Sequence, residues 1–262
     1  MDRETIDDFG KNMEFNLRRM TAQFESGSYR LSPLKCVPIP KDEDEARYIG
    51  IPTVKDRIIL RAVNSHLTAI WDHYFSDLSF AYRQGRNCRG AARALCEMIE
   101  RGCFWYVRGD IRGCFDSLDW DYLSAILHRA ITDDDLRGFV EMSIRVPFVF
   151  DGTLYLRSRG VPMGSPVSPA LANVYLHQFD AEMAELGYDV IRYGDDWICM
   201  SPDRQGAIER LRAACNVLSE MKIEINSSKS GVGDLRRDTI TFLGYEINAY
   251  EIASSSWDME GF

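Results

Sequence analysis

Hydrophobic and polar positions change period several times along this chain, and those changes mark out its elements. From Asp56 the positions Ile59, Ala62, Val63, His66, Leu67, Ile70 and Trp71 follow helical spacing, and a second helix is expected from Gly90 to Arg101. Then the period switches. FWYVRGDI, residues 104–111, reads as a buried strand ending at Asp110, and Asp119 stands where it caps the helix of DYLSAILHRA. Thr132, with Asp135 three residues later, resembles a helix start, while VPFVF and TLYLR flank an Asp151-Gly152 turn. Pro169 falls in the first turn of a long helix through ALANVYLHQFDAEMAEL. IRYGDDWICM, residues 191–200, has the bulk and β-propensity of two strands with Gly194 and Asp195 at a hairpin tip. A helix from about Arg204 to Met221 and strands near KIEIN and TITFLGYEI follow. The order is mixed, not a repeating β-α alternation, which predicts an α+β fold with antiparallel pairing.

Composition narrows this picture. The 262 residues, 45% hydrophobic and 11% aromatic, suffice for the core of one domain or of one with two lobes. No apolar run approaches the roughly 18 residues of a membrane span, and the start, MDRETIDDFGKNMEF, is too acidic and polar for a secretory signal. A cytoplasmic protein without membrane attachment is expected. Seven cysteines (Cys36, Cys88, Cys96, Cys103, Cys114, Cys199, Cys215) form no CxxC pair and read as reduced, small hydrophobes. The four histidines are scattered and read as packing or surface residues.

The acids raise a question of chemistry. Taken alone, the Asp195-Asp196 pair reads as the solvated acidic turn of a hairpin. Asp110 changes that, because a strand ending in one aspartate beside a hairpin carrying two more brings three carboxylates to one sheet edge. Like charges so placed raise one another's pKa unless a divalent cation neutralises them, and hard carboxylate oxygens suit Mg²⁺. Successive strand side chains point to opposite faces, so Asp195 and Asp196 cannot both face the cluster unless the turn reorients one. Asp110 and Asp195 are the main candidate ligands, and Asp196 the lesser one.

Several stretches, in order, then carry a resemblance. SGSYRLSPLKCVPIPK, GIPTVKDRII and SFAYRQGRN are followed by GDIRGCFDSLD, RGVPMGSPVSPALANVYLHQFD, YGDD, INSSKS and FLGYEI. Over about residues 29–250 the chain resembles reverse transcriptases of the bacterial group II intron and retron lineage. The resemblance implies a right-hand polymerase with fingers in residues 1–103 and an antiparallel palm sheet packed on helices in 104–262. It implies addition of dNTPs to a primer 3′ hydroxyl, or another priming hydroxyl, along an RNA template. Two Mg²⁺ ions, with Mn²⁺ as a substitute, would act about 3.5–4 Å apart. Asp110 and Asp195 would bridge them, with Asp196 and the backbone carbonyl of Ile111 as further ligands.

The remaining roles are also carried by the resemblance. Lys229 matches the residue that protonates the departing pyrophosphate, the alternative being an exposed strand-end lysine. Lys41 and Arg47 match triphosphate-holding residues, although in the acid-rich KDEDEAR they also fit solvated charges. Phe115, five residues after Asp110, matches the aromatic that collides with a 2′ hydroxyl and so selects dNTPs. Met163-Gly164 stands where most relatives have Gln-Gly, which alters contacts near the nascent base pair. Ser165, Arg83 and Arg86 fall on the template side, and Leu243-Gly244 in the primer grip.

Charge and length complete the expectations. A formal net charge of −9 opposes strong nonspecific nucleic-acid affinity, yet seven arginines against three acids between Ala81 and Arg112 make a local patch of net +4 suited to a phosphate backbone. Only 18 residues follow Gly244, so a thumb is expected to be absent or reduced. Either the chain is a truncated product, or a second copy, a partner protein or a structured RNA holds the duplex. With no maturase, nuclease or integrase module following, a defence-associated enzyme is the expected kind. The alternatives are an RNA-templated RNA polymerase, which Phe115 opposes, and a catalytically silent binding scaffold, which the intact acids oppose.

Overall fold

The structure is a computed structural model that describes residues 4–42 and 45–254. The chain divides into two compact units, each built from two stretches: Met1–His73 with Phe115–Ala172, and Tyr74–Cys114 with Asn173–Phe262. The expected fingers–palm boundary at 103/104 falls inside the stretch Tyr74–Cys114.

The first unit opens with helices α1 (Ile6–Lys11) and α2 (Met13–Glu25), then strands β1 (Leu34–Asp42) and β2 (Glu45–Ile51) and helix α3 (Val54–Trp71). Its second stretch carries most of the short α5 (Cys114–Ser117), then α6 (Trp120–Ala130), α7 (Asp134–Ile144), β4 (Phe148–Phe150) and β5 (Thr153–Tyr155); the long α8 (Ser168–Glu185) begins at its end. The sheet order is β2-β1-β4-β5; strand β3 (Trp105–Asp110) belongs to the second unit. Pro38 and Pro40 sit within β1 at positions that a proline normally forbids. Leu34 donates its N–H to the Pro147 carbonyl on the β4 side, and β4 pairs only with Leu34 and Lys35. Residues of the same parity as Leu34 therefore aim at an edge that is open beyond Lys35, where a missing donor costs nothing. Asp119 caps α6 as expected; α7 is capped by Asp133 rather than Thr132. Helices α1 and α2 and the β1–β2 hairpin were not expected from the periodicity.

The second unit holds α4 (Cys88–Glu100), β3, the rest of α8, β6 (Val190–Tyr193), β7 (Asp196–Ser201), α9 (Arg204–Glu220), β8 (Gly231–Asp234), β9 (Ile240–Phe242), β10 (Tyr245–Ile247) and β11 (Ile252–Ser254). A four-stranded sheet runs β6-β7-β3-β8, every neighbour antiparallel, and α9 packs against it. A smaller sheet runs β11-β10-β9. One apolar core joins them: Ala91, Leu95 and Ile99 of α4 pack with Ile191, Ile198 and Met200 of the larger sheet and with Ile240, Phe242 and Ile247 of the smaller. KIEIN is not a strand. Only Ile225 within it forms a bridge, to Ile111. Among the described residues no helix is long and apolar enough to cross a membrane.

Candidate active site

Strand β3 is the middle of the larger sheet, and it delivers Asp110 to the sheet's end. In the β3–β7 ladder Asp110 lies opposite Asp196 and Gly109 opposite Trp197. Residues directly opposite share a face, so Asp110 and Asp196 point to one side of the sheet and Trp197 to the other. A Cβ on Gly109 would stand 2.1 Å from Trp197 Cζ2, so only glycine fits before the aspartate. Trp197, wholly buried, in turn meets Phe179 of α8 edge to face at 5.2 Å.

The hairpin β6–β7 closes through Gly194 and Asp195, with Tyr193 paired to Asp196, as the sequence predicts. Gly194 has φ of +68° while Asp195 does not take a positive φ, the pattern of a II′ hairpin turn. Beneath this turn lies an arginine that no motif in the sequence marks. Arg192 is fully buried and donates to Asp180 through Nε (2.8 Å) and Nη2 (2.6 Å), to Asn173 Oδ1 (3.1 Å), to Ser79 Oγ (2.9 Å) and to the Gly194 carbonyl (3.1 Å). Its signal was present in the sequence: a lone cation within an apolar strand requires a buried counter-charge, and YLHQFD supplies one in Asp180.

The three aspartates differ in their partners. Asp110 Oδ2 accepts from Asn226 Nδ2 (3.0 Å) and lies 3.9 Å from Lys229 Nζ, while its N–H donates to Ser230 Oγ (3.1 Å). INSSKS thus folds around Asp110, and Asn226 and Ser230 join Lys229 as site residues. Asp196 is held by Arg108 Nε and Nη2 at 3.4 and 3.1 Å. Burial raises the Asp196 pKa, Arg108 opposes that rise, and Asp110 and Asp195 add to it. Asp110 and Asp195 are both near enough to act on the Asp196 carboxyl, although among the described residues no group of three His, Cys, Asp or Glu side chains is gathered closely enough to hold a metal. Asp196 shares the face of Asp110 and is ion-paired to Arg108 at 3.1 Å.

The donors that remain do suit a divalent cation. Asp110 and Asp195 are hard oxygen ligands in a field negative enough to be felt by Asp196. The Ile111 carbonyl is not engaged by the 224–226 segment, because the bonds to it are made by Asp110 and Arg112 on either side of Ile111. In that pattern the intervening residue turns its own carbonyl away from the bonded partner.

The other expected site residues fall into two groups. In the second unit, Leu243 (φ +54°) and Gly244 (φ +83°) form the tip joining β9 to β10, and Arg108 Nη1 donates to the Thr241 carbonyl at 2.6 Å, tying that hairpin to β3. Arg83 and Arg86 lie in the loop before α4. Arg83 is 8% exposed, donates to the carbonyls of Ser76 and Ser79 and lies over the Phe75 ring, while Arg86 grips Asp77. Arg83 braces the loop, because a buried guanidinium must spend its donors on nearby carbonyls, while the partly exposed Arg86 holds the same loop through Asp77.

In the first unit, Arg47 is exposed on β2 opposite Ile39. Lys41 is the last residue but one of β1, and its side chain lies outside the described residues. The Met163 carbonyl accepts from Gly50 N–H at 2.7 Å, and a Cβ on Gly164 (φ +99°) would lie 2.6 Å from Ile49 Cγ2. Ser165 is buried with its hydroxyl lacking a partner. The half-buried Phe115 accepts the Val161 N–H on its carbonyl at 2.7 Å, and Gly160 approaches Phe115 too closely for a Cβ. The aromatic and the glycine-proline segment are thus held together by backbone.

Comparisons agree with this arrangement. Residues 39–247 match the family described as reverse transcriptase (RNA-dependent DNA polymerase). The chain is 29% identical over 184 residues to the group II intron-encoded protein LtrA of Lactococcus lactis subsp. cremoris, covering 70% of this chain and 30% of that protein. It is 26% identical to protein YkfC of Escherichia coli K12, covering 85% of this chain and 68% of YkfC. The chain therefore spans under a third of LtrA and about two thirds of YkfC. A solved structure of apo telomerase from Candida tropicalis superposes with a TM-score of 0.68 at 12% identity, covering 94% of this chain and 52% of that one, a likeness of fold. With mixed α and β elements, an antiparallel four-stranded sheet and YGDD at its hairpin turn, this chain belongs to the reverse transcriptase family.

Proposed function

We propose that this chain catalyses Mg²⁺-dependent addition of dNTPs to a primer 3′ hydroxyl on an RNA template. The observation that carries the reading is the end of β3 and β7, where Asp110 stands opposite Asp196, with Asp195 in the adjoining turn and Lys229 3.9 Å from Asp110. Divalent ions bound by Asp110, Asp195 and the Ile111 carbonyl would activate the attacking hydroxyl and stabilise the charge on the phosphoryl oxygens. Asn226 and Ser230 hold Asp110 in orientation. Arg108 keeps Asp196 neutralised and anchors the Leu243-Gly244 hairpin, which supports the primer strand. Lys229, 59% exposed in its side chain and 3.9 Å from Asp110, would give a proton to the departing pyrophosphate.

Phe115, held by Val161, excludes a 2′ hydroxyl, and this favours DNA over RNA synthesis. Lys41 and Arg47 would bind the triphosphate, and the segment of Met163, Gly164 and the buried Ser165 would form the backbone of the template side. The acidic balance of the chain supports an assembly in which a second copy, a partner protein or a structured RNA adds grip on the duplex. Seven free cysteines support a reducing, cytoplasmic setting.

The test is incorporation of labelled dNTP against NTP on an RNA template with Mg²⁺, by the wild type and by Asp195→Asn. Wild-type incorporation of dNTP and its loss in a folded Asp195→Asn protein are expected. Retained activity in that variant would remove Asp195 from the site.

A further inference from the structure

The loop before α4 holds a residue whose backbone is strained. Tyr82 has φ of +60°, the left-handed region, which an aromatic side chain enters only when its surroundings force it. Those surroundings are fixed on both sides. Phe80 N–H donates to the Arg192 carbonyl at 2.9 Å and Arg192 N–H to the Leu78 carbonyl at 2.8 Å, so the segment runs beside β6. Asn173 Nδ2 donates to the Ala81 carbonyl at 2.8 Å, and Arg83, beyond Tyr82, is tied to the carbonyls of Ser76 and Ser79. The result of this clamping is specific. A Cβ built on Gly194 would meet Tyr82 Cε2 at 3.7 Å and Oη at 3.8 Å, so the ring lies against the turn that carries Asp195. Half of Tyr82 remains exposed, so core burial does not account for the strain.

We infer that Tyr82 is a positioning residue for Asp195: its ring walls the Gly194-Asp195 turn and holds the carboxylate where a divalent cation and the primer hydroxyl require it. The inference rests on Asp195 being a metal ligand. Arg192 fixes the turn from below through the Gly194 carbonyl, and Tyr82 fixes it from the side. A two-residue turn with a glycine needs such restraint, because glycine alone permits many backbone states. A misplacement of about 1 Å in a reacting group lowers rate by roughly two orders of magnitude.

Strain held for function has a signature that packing lacks: its release leaves the protein as stable or more so, while the site loses precision. Tyr82→Gly, Tyr82→Phe and Asp195→Asn are compared by thermal unfolding, and by Mn²⁺ titration followed by electron paramagnetic resonance on complexes with RNA template, dideoxy-terminated DNA primer and dNTP. Tyr82→Gly is expected to unfold at or up to a few degrees above the wild-type temperature, to bind Mn²⁺ about tenfold more weakly, and to lose about tenfold or more in kcat with the dNTP KM within about twofold. Tyr82→Phe keeps the ring and is expected to stay within about twofold of wild type in each measure. Mn²⁺ affinity and kcat unchanged in Tyr82→Gly would overturn the inference, and so would a lowered unfolding temperature accompanying the losses, or equal losses in Tyr82→Phe. Asp195→Asn separates this failure from that of the site itself: if Asp195→Asn also binds Mn²⁺ normally, the metal assignment is wrong, not merely the role of Tyr82.

Discussion

Removing the counter-charge of Arg192 tests whether the catalytic hairpin is built on a buried ion pair. Asp180→Ala leaves a guanidinium that is wholly inaccessible to solvent, and it loses the two shortest of its five side-chain hydrogen bonds. Asn173, Ser79 and the Gly194 carbonyl remain as neutral acceptors. Breaking one partner of a buried pair typically costs about 3–5 kcal/mol, since the remaining charge stays desolvated. At roughly 2–4 °C per kcal/mol for a chain of this size, unfolding should fall by about 6–20 °C. Asp180→Asn, which keeps an acceptor, should lose less. Replacing both partners, Asp180→Ala with Arg192→Met, should recover part of the loss because no unpaired charge is then buried. Urea unfolding of the three variants, with dNTP incorporation measured well below each midpoint, reads both stability and the state of the turn. A loss under about 1 kcal/mol in Asp180→Ala would refute the reasoning, because a charge left unpaired at zero exposure cannot be that cheap.

Three further outcomes are expected. Phe115→Ala should raise ribonucleotide use relative to dNTP by roughly tenfold or more in single-nucleotide extension; an unchanged ratio in a folded protein would place sugar selection elsewhere. Gly109→Ala must displace the Trp197 ring, which stands 2.1 Å from the added Cβ, and should destabilise by about 1–3 kcal/mol or more and depress activity; wild-type behaviour in both would contradict the β3–β7 register. Burial pushes the Cys199 thiol up to about 12, so at pH 8 an alkylating agent should label the exposed Cys215 and spare Cys199 until urea unfolds the chain. Equal labelling rates in the folded protein, read by mass spectrometry, would contradict the burial of β7.

Much of the fold was legible because its signals are local. Periodicity located α3, α4, α6, α8 and α9 to within a few residues, since an amphipathic helix repeats its apolar face every turn regardless of its neighbours. Turn chemistry located the Gly194-Asp195 tip, since φ > 0 is a demand made by the turn itself. The β1–β2 hairpin was hidden. Its alternating prolines argue against a strand until the sheet order shows that they face an edge left open by β4.

The sequence by itself determined that three aspartates and a lysine lie in motifs of one family, in family order. Only the tertiary structure decided what each is joined to. Asp196 is drawn to Arg108, two residues before Asp110 on the neighbouring strand, and Asn226 and Ser230 reach Asp110 from more than a hundred residues away. Arg83 and Arg86 stand in a basic stretch, and only the fold shows their bonds to Ser76, Ser79 and Asp77 of their own loop. Register, burial and long-range hydrogen bonds are properties of pairs of residues distant in the chain, so no local pattern encodes them. An arginine at zero exposure and one in water look the same in a sequence. Which it becomes depends on whether folding brings it a carboxylate, as Asp180 meets Arg192, or carbonyls, as Ser76 and Ser79 meet Arg83.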